Sequence, residues 1–126
     1  MKAYFKNAVQ ENLGSLSSLH DTPGYEVIEG DPRCSMRLDV GSSSTSSRLG
    51  IWSCTPGTFR CIEKGDELQT VIEGKLSLIM DDGNIYDFEP GDSFYTKKGE
   101  RVTWKIVETV KKVFFTYDSA NSSVTE

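Results

Sequence analysis

The chain has 126 residues, 37% of them apolar, with 14 Lys+Arg against 19 Asp+Glu; that length suits one domain able to close a core without staples. A net charge of -5, with Lys97-Lys98 and Lys111-Lys112 as the basic pairs, argues against a nucleic-acid or anionic-membrane face. No apolar run approaches the ~20 residues of a membrane span, and Met1 to Gln10 lacks the apolar stretch of a signal peptide, so a soluble, cytoplasmic protein is expected.

In chain order, Asn7 to Leu19 is weakly amphipathic, but Gly14 and its serines weaken it as a helix. A loose arm or short helical turn is expected over residues 1–24. Thr22-Pro23-Gly24 signals a turn before a strand at Tyr25–Glu29, which Gly30-Asp31-Pro32 closes. Cys34–Val40 alternates and reads as the next strand, followed by the polar loop Gly41–Ser47. Strands are then expected at Leu49–Cys54, Thr58–Glu63 and Glu67–Glu73, with a turn at Gly74. Lys75–Met80 alternates, and Asp81-Asp82-Gly83-Asn84 is a hairpin turn whose Gly and Asn accept positive φ. Ile85–Phe88, Ser93–Thr96, Arg101–Val107 and Lys111–Asp118 complete the set, and a polar tail covers 119–126. Roughly eight to ten short strands with turn residues between them, and no helix-length period, predict an all-β sandwich or barrel over residues 25–118.

The rare residues limit the chemistry further. With His20 the one histidine, neither a two- nor a three-histidine metal site can form within the chain. Cys34, Cys54 and Cys61 have no C-x-x-C spacing and are odd in number, so they suggest neither a zinc ribbon nor a disulfide framework. Free thiols are the expectation.

The segment Glu67 to Gly74, followed by Gly91 and Gly99, resembles the two-motif pattern of the cupins, G-x5-H-x-H-x(3,4)-E-x6-G and G-x5-P-x-G-x2-H-x3-N. The flanking runs Gly50–Arg60, Thr103–Glu108 and Lys111-Lys112-Val113 resemble the small cupins related to (S)-ureidoglycine aminohydrolase and to ethanolamine-utilisation proteins. The resemblance implies a cupin β-barrel, also described as a double-stranded β-helix or jelly roll. The departures are in the metal ligands. The first-motif histidines fall at Cys61 and Glu63, or at Arg60 and Ile62 with the longer spacer, and the second-motif histidine at Val102. Of the ligand types only Glu67 survives. No tightly bound cofactor is expected; the substitute set for a divalent metal, should one bind, is Cys61, Glu63 and Glu67.

Alternation along a barrel strand places Val102, Trp104 and Ile106 inward together. The expected cup is then aromatic and apolar, with Glu67, Glu63 and Gln69 as polar points and Arg60 available for a ligand anion. Val102 and Trp104 line it. Two function classes follow. One is a cup that binds a small metabolite without metal. The other is an aminohydrolase- or isomerase-like enzyme on a nitrogenous or hydroxylated metabolite, in which Glu67 and Glu63 serve as acid and base or as metal ligands. A third, structural possibility is a homodimer with a filled barrel. By resemblance the chain is expected to pair as a homodimer, with an edge strand such as Tyr25–Glu29 covered by the second copy.

Overall fold

Alternating burial runs through the chain from Ser17 to Tyr117 and produces nine strands among residues 1–5 and 12–119, which are those the computed structural model describes. They are β1 (Ser17–Ser18), β2 (Tyr25–Glu29), β3 (Arg33–Val40), β4 (Ser47–Cys54), β5 (Gly57–Ile62), β6 (Asp66–Met80), β7 (Ile85–Phe88), β8 (Ser93–Thr96) and β9 (Arg101–Tyr117). A 3-10 turn, Leu19–Asp21, lies between β1 and β2. The all-β expectation holds, and most strand bounds agree with those read from alternation and turn residues. No helix of the described residues is long and apolar enough to cross a membrane.

Two joins differ from the sequence reading. The stretches on either side of Gly74 form one strand, β6, and Arg101 to Tyr117 is one strand, β9. These two long strands pair antiparallel along most of their lengths. Near Gly74 the register slips between Val71 and Glu73, Glu73 and Lys75, and Lys75 and Leu76. Gly74 holds φ +83, and a Cβ there would lie 2.1 Å from the Thr109 carbonyl oxygen. The glycine therefore makes a bulge and a close backbone approach within a continuing strand.

That bent ribbon joins the two walls of the jelly roll. Residues 101–106 of β9 lie between β5 and the second half of β6, while residues 110–117 lie between β4 and its first half. β7 extends one wall and β8 the other. β2 finishes the first wall against β5, and β3 with β1 finishes the second. A single nine-stranded sheet thus curls over its own core. Phe59, Val71, Leu76, Val102 and Val110 are fully or almost fully buried there.

Of the expected arm over Asn7–Leu19, residues 7–11 lie outside the described residues. Ser17 and Ser18 pair with Arg33 and Cys34, and Leu19 is buried in the core cluster. His20 is exposed, its Nε2 against the Gly30 carbonyl at 2.9 Å. The tail beyond Ser119 also lies outside the described residues.

Candidate functional site

A cavity of about 620 Å³ opens at one end of the roll. β9 supplies one side of it through a single alternation. Val102, Trp104, Ile106, Val110, Lys112, Phe114 and Thr116 are all buried, whereas Lys105, Val107 and Phe115 face out. Trp104, Lys112, Phe114 and Thr116 line the cavity, together with Trp52 of β4, Phe59 and Cys61 of β5, Glu63, and Glu67 of β6. The aromatic walls are mutually packed. Phe59 stacks on Trp104 at 6.0 Å between centroids, and Trp52 meets Trp104 at 5.9 Å. The cup is therefore open rather than filled, which goes against the filled-barrel possibility.

Lys112 is the centre of its polar network. Only 4% of the residue is exposed. Its ammonium donates to Gln69 Oε1, lies 3.4 Å from Glu67 Oε2, and sits 4.4 and 4.6 Å from the ring centroids of Trp104 and Trp52. Glu67 Oε1 accepts from the Thr116 hydroxyl at 2.6 Å, and Gln69 Nε2 donates to Thr96 Oγ1 at 3.1 Å. The charge is thus paired with a carboxylate, bonded to an amide and set over two neighbouring, mutually tilted indole rings, as a buried cation requires.

Glu63 lies on the other side of the polar set, past the end of β5. Its backbone is fixed by Glu63 N donating to the Glu100 carbonyl at 2.9 Å and by Gly99 N donating to the Glu63 carbonyl at 2.8 Å. Burial pushes its carboxyl up to about 7, with Lys112 opposing the rise and Glu67 adding to it. Glu63 Oε1 is buried with no hydrogen-bond partner among the described residues. Burial likewise pushes the Cys61 thiol up to about 12, Glu63 adding to the rise and Lys112 opposing it. The Trp104 indole N–H acts weakly in the same sense as Lys112, yet Nε1 reaches no hydrogen-bond geometry and is buried unpartnered. Cys61 Sγ is 4.0 Å from Glu63 Oε2, at the limit of a sulfur contact.

The residues expected in the cup separate into three groups. Glu63, Glu67, Trp104 and Cys61 all line the cavity. Gln69 and Val102 are inward but lie beneath the wall, fully buried and away from the lining; Gln69 acts through Lys112, and Val102 packs opposite Cys61 in the strand register. Arg60 is a correction. Strand parity places it on the face opposite Phe59 and Cys61, where it donates to Thr103 Oγ1 at 3.3 Å and pairs with Glu26 at 3.2 Å. Lys112 and Thr116, the centre of the polar network, are among the lining residues that the sequence reading did not select, as are Arg48, Phe59 and Phe114 and the arm residues Leu13 to Ser15. The signal was present in the alternation Val110-x-Lys112-x-Phe114-x-Thr116, which puts a lysine in an inward position.

The metal that the cupin resemblance implies does not fit this donor set. Among the described residues no group of three or more His, Cys, Asp or Glu side chains is placed to hold a metal ion. Cys61, Glu63 and Glu67 share the cavity, but the Cys61 thiol is held protonated and an ammonium already binds Glu67 and Gln69. A thiolate, not a thiol, is the ligand form.

The sequence profile of the EutQ-like cupin domain matches residues 41–114. No curated protein matches the chain. Among solved structures, the EutQ protein of Clostridium difficile is 20% identical with a TM-score of 0.62, covering 70% of each chain. A protein of unknown function from Pseudomonas syringae pv. tomato is 24% identical with a TM-score of 0.63; the match covers 82% of this chain and 44% of that one. A Thermotoga maritima protein is 31% identical with a TM-score of 0.51, over 53% of this chain and 76% of that one. At the lower identities these similarities concern the fold, and one fold hosts many chemistries.

Proposed function

The chain belongs to the EutQ-like cupin domain family, and from that premise we propose that its cup binds a small metabolite without a tightly bound metal. The observation that carries this reading is a pair of buried polar atoms, Glu63 Oε1 and Trp104 Nε1, that find no partner among the described residues and belong to two residues lining one cavity. Leaving such an atom unpaired costs about 1–3 kcal/mol, so a native structure that keeps two of them together favours an absent partner. Aromatic walls with a few convergent polar points, at a volume within the usual ~300–1,000 Å³, are the composition of a small-molecule site. Both atoms are closed off from the cavity as it stands, so the ligand that satisfies them, with a donor to Glu63 and an acceptor to the Trp104 N–H, binds with a small turn of those side chains towards it.

The test is a thermal-shift and tryptophan-fluorescence screen of small polar metabolites against wild type, Glu63→Gln and Trp104→Phe. A ligand that raises the melting temperature of the wild type and binds the two variants at least ~10-fold more weakly, the loss expected for one unmet hydrogen bond, supports the reading. A hit that binds all three equally, or a broad library with no hit, refutes it.

A second reading is favoured by the Glu63 carboxyl, poised near 7 beside Glu67. A group that titrates there can give and take a proton at working pH, as an acid/base enzyme on a nitrogenous or hydroxylated metabolite needs. Under this reading Glu67→Gln abolishes turnover of any substrate found, and an unchanged rate removes Glu67 from the chemistry.

The assembly belongs to the same proposal: a homodimer covering β2, which among the described residues has β5 as its one strand neighbour. A cytoplasmic setting accords with the three free cysteines.

A further inference from the structure

We propose that Lys112 takes the place of a metal ion in this cup: a tethered ammonium that occupies the acceptor atoms a divalent cation would need, and so keeps such ions out. The inference rests on the metal-free part of the function proposed above and assigns it to one side chain.

Three observations carry it. Lys112 Nζ takes Gln69 Oε1 and lies 3.4 Å from Glu67 Oε2, the cup's carboxylate at the cupin ligand position. The remaining Glu67 oxygen accepts from Thr116 at 2.6 Å, and the Gln69 amide is turned by its bond to Thr96 so that its oxygen meets the ammonium. The lysine stem is buried to 4% exposure and its head is held 4.4 and 4.6 Å from two indole centroids, so the charge is fixed in the cup instead of swinging out to water. A divalent ion among these donors would have to displace the ammonium or tolerate a like charge beside it, in a site where screening is weak.

Removing the charge should therefore release a donor set. Glu67 and Gln69 then offer the freed oxygens, suited to Mn²⁺, while Glu63 and Cys61, which line the same cavity but are not gathered with Glu67 around one point, must turn towards them to complete a shell, with the Cys61 sulfur held by Zn²⁺ as thiolate once bound. An ammonium is a compact point charge on a flexible stem, so methionine keeps much of the stem's packing against the indoles while deleting the charge.

The experiment is equilibrium dialysis against Mn²⁺ and Zn²⁺ followed by elemental analysis, on wild type, Lys112→Ala, Lys112→Met and the double variant Lys112→Met/Glu67→Gln. Cooperative thermal melting certifies that each is folded, and the methionine variant serves if the alanine one is not. The expected result is no retained ion in the wild type, a rise to about one ion per chain in a folded Lys112 variant, and a loss of roughly 10–100-fold in affinity when Glu67 is also changed. A folded Lys112 variant that still retains no ion overturns the inference. So does a wild type that holds one ion per chain, which also removes the metal-free part of the function reading. The ligand screen fails separately: with no ligand found and an ion gained by Lys112→Met, the role of Lys112 stands and the binding reading falls.

Discussion

At the scale of the residue, Glu63 couples the cup to pH. Its carboxyl is raised from 4.5 to about 7, chiefly by burial. The folded state therefore holds this proton more tightly than the unfolded chain does. Below about 4.5 both states are protonated and the group contributes nothing. As pH rises towards 7, the unfolded chain ionises Glu63 while the folded state does not, and stability falls; above 7 the loss is complete, on the order of 3 kcal/mol. Urea denaturation between pH 4.5 and 7.5 should show this decline, and Glu63→Gln should flatten it. An identical slope in the variant would mean that Glu63 titrates as an ordinary carboxyl. Trp104 needs a gentler change. It is buried and packs on Phe59, Trp52 and Phe94, so Trp104→Ala should cost about 3–5 kcal/mol and confuse binding with unfolding. Trp104→Phe removes the N–H and keeps a ring, and calorimetric melting should separate the two variants.

At the scale of the element, the β6–β9 ribbon decides the shape of the molecule. Its bend depends on Gly74, at φ +83 and in contact with the Thr109 carbonyl. Gly74→Ala should lower stability by about 2 kcal/mol or more, since the backbone conformation alone costs a side chain about 1–3 kcal/mol and the carbonyl must also move. Chemical denaturation measures it; a loss below about 0.5 kcal/mol would mean that the ribbon relaxes freely. The element reading was sound wherever turn residues and alternation agreed, as at β2, β7 and β8. It divided β6 and β9 because a glycine inside an alternating run marks either a turn or a bulge, and only the pairing partner distinguishes them. Within β9 the buried residues are all even-numbered from Val102 to Thr116, interrupted by the exposed run Val107–Thr109 opposite the Gly74 bulge, and the parity kept across that break delivers Lys112 to the same cup as Trp104.

At the scale of the whole molecule, β2 is an edge strand with Ile28 half exposed, and exposed edges invite pairing. Light scattering should report a particle of twice the 14.0 kDa chain mass, and Ile28→Lys should shift it towards the single chain while leaving the ligand screen unchanged. A wild-type particle of 14.0 kDa would refute the homodimer.

Local rules in the sequence determined the all-β class, most of the turn positions and which residues of a strand share a face, because side-chain direction in a strand has period two. It was the cupin resemblance, and not spacing, that put Glu63, Glu67, Cys61 and Trp104 around one cup. The tertiary structure decided what those neighbours meet. Arg60 belongs with the local rules, since its parity is opposite to that of Cys61; what the fold added is its partner there, Glu26 across the β2–β5 register. Lys112 entered the cup because β9 pairs with β6 from Asp66 to Met80, which brings residues 45 apart in the chain to one ammonium and one carboxylate. Such contacts depend on register between distant strands, a quantity that no local pattern encodes.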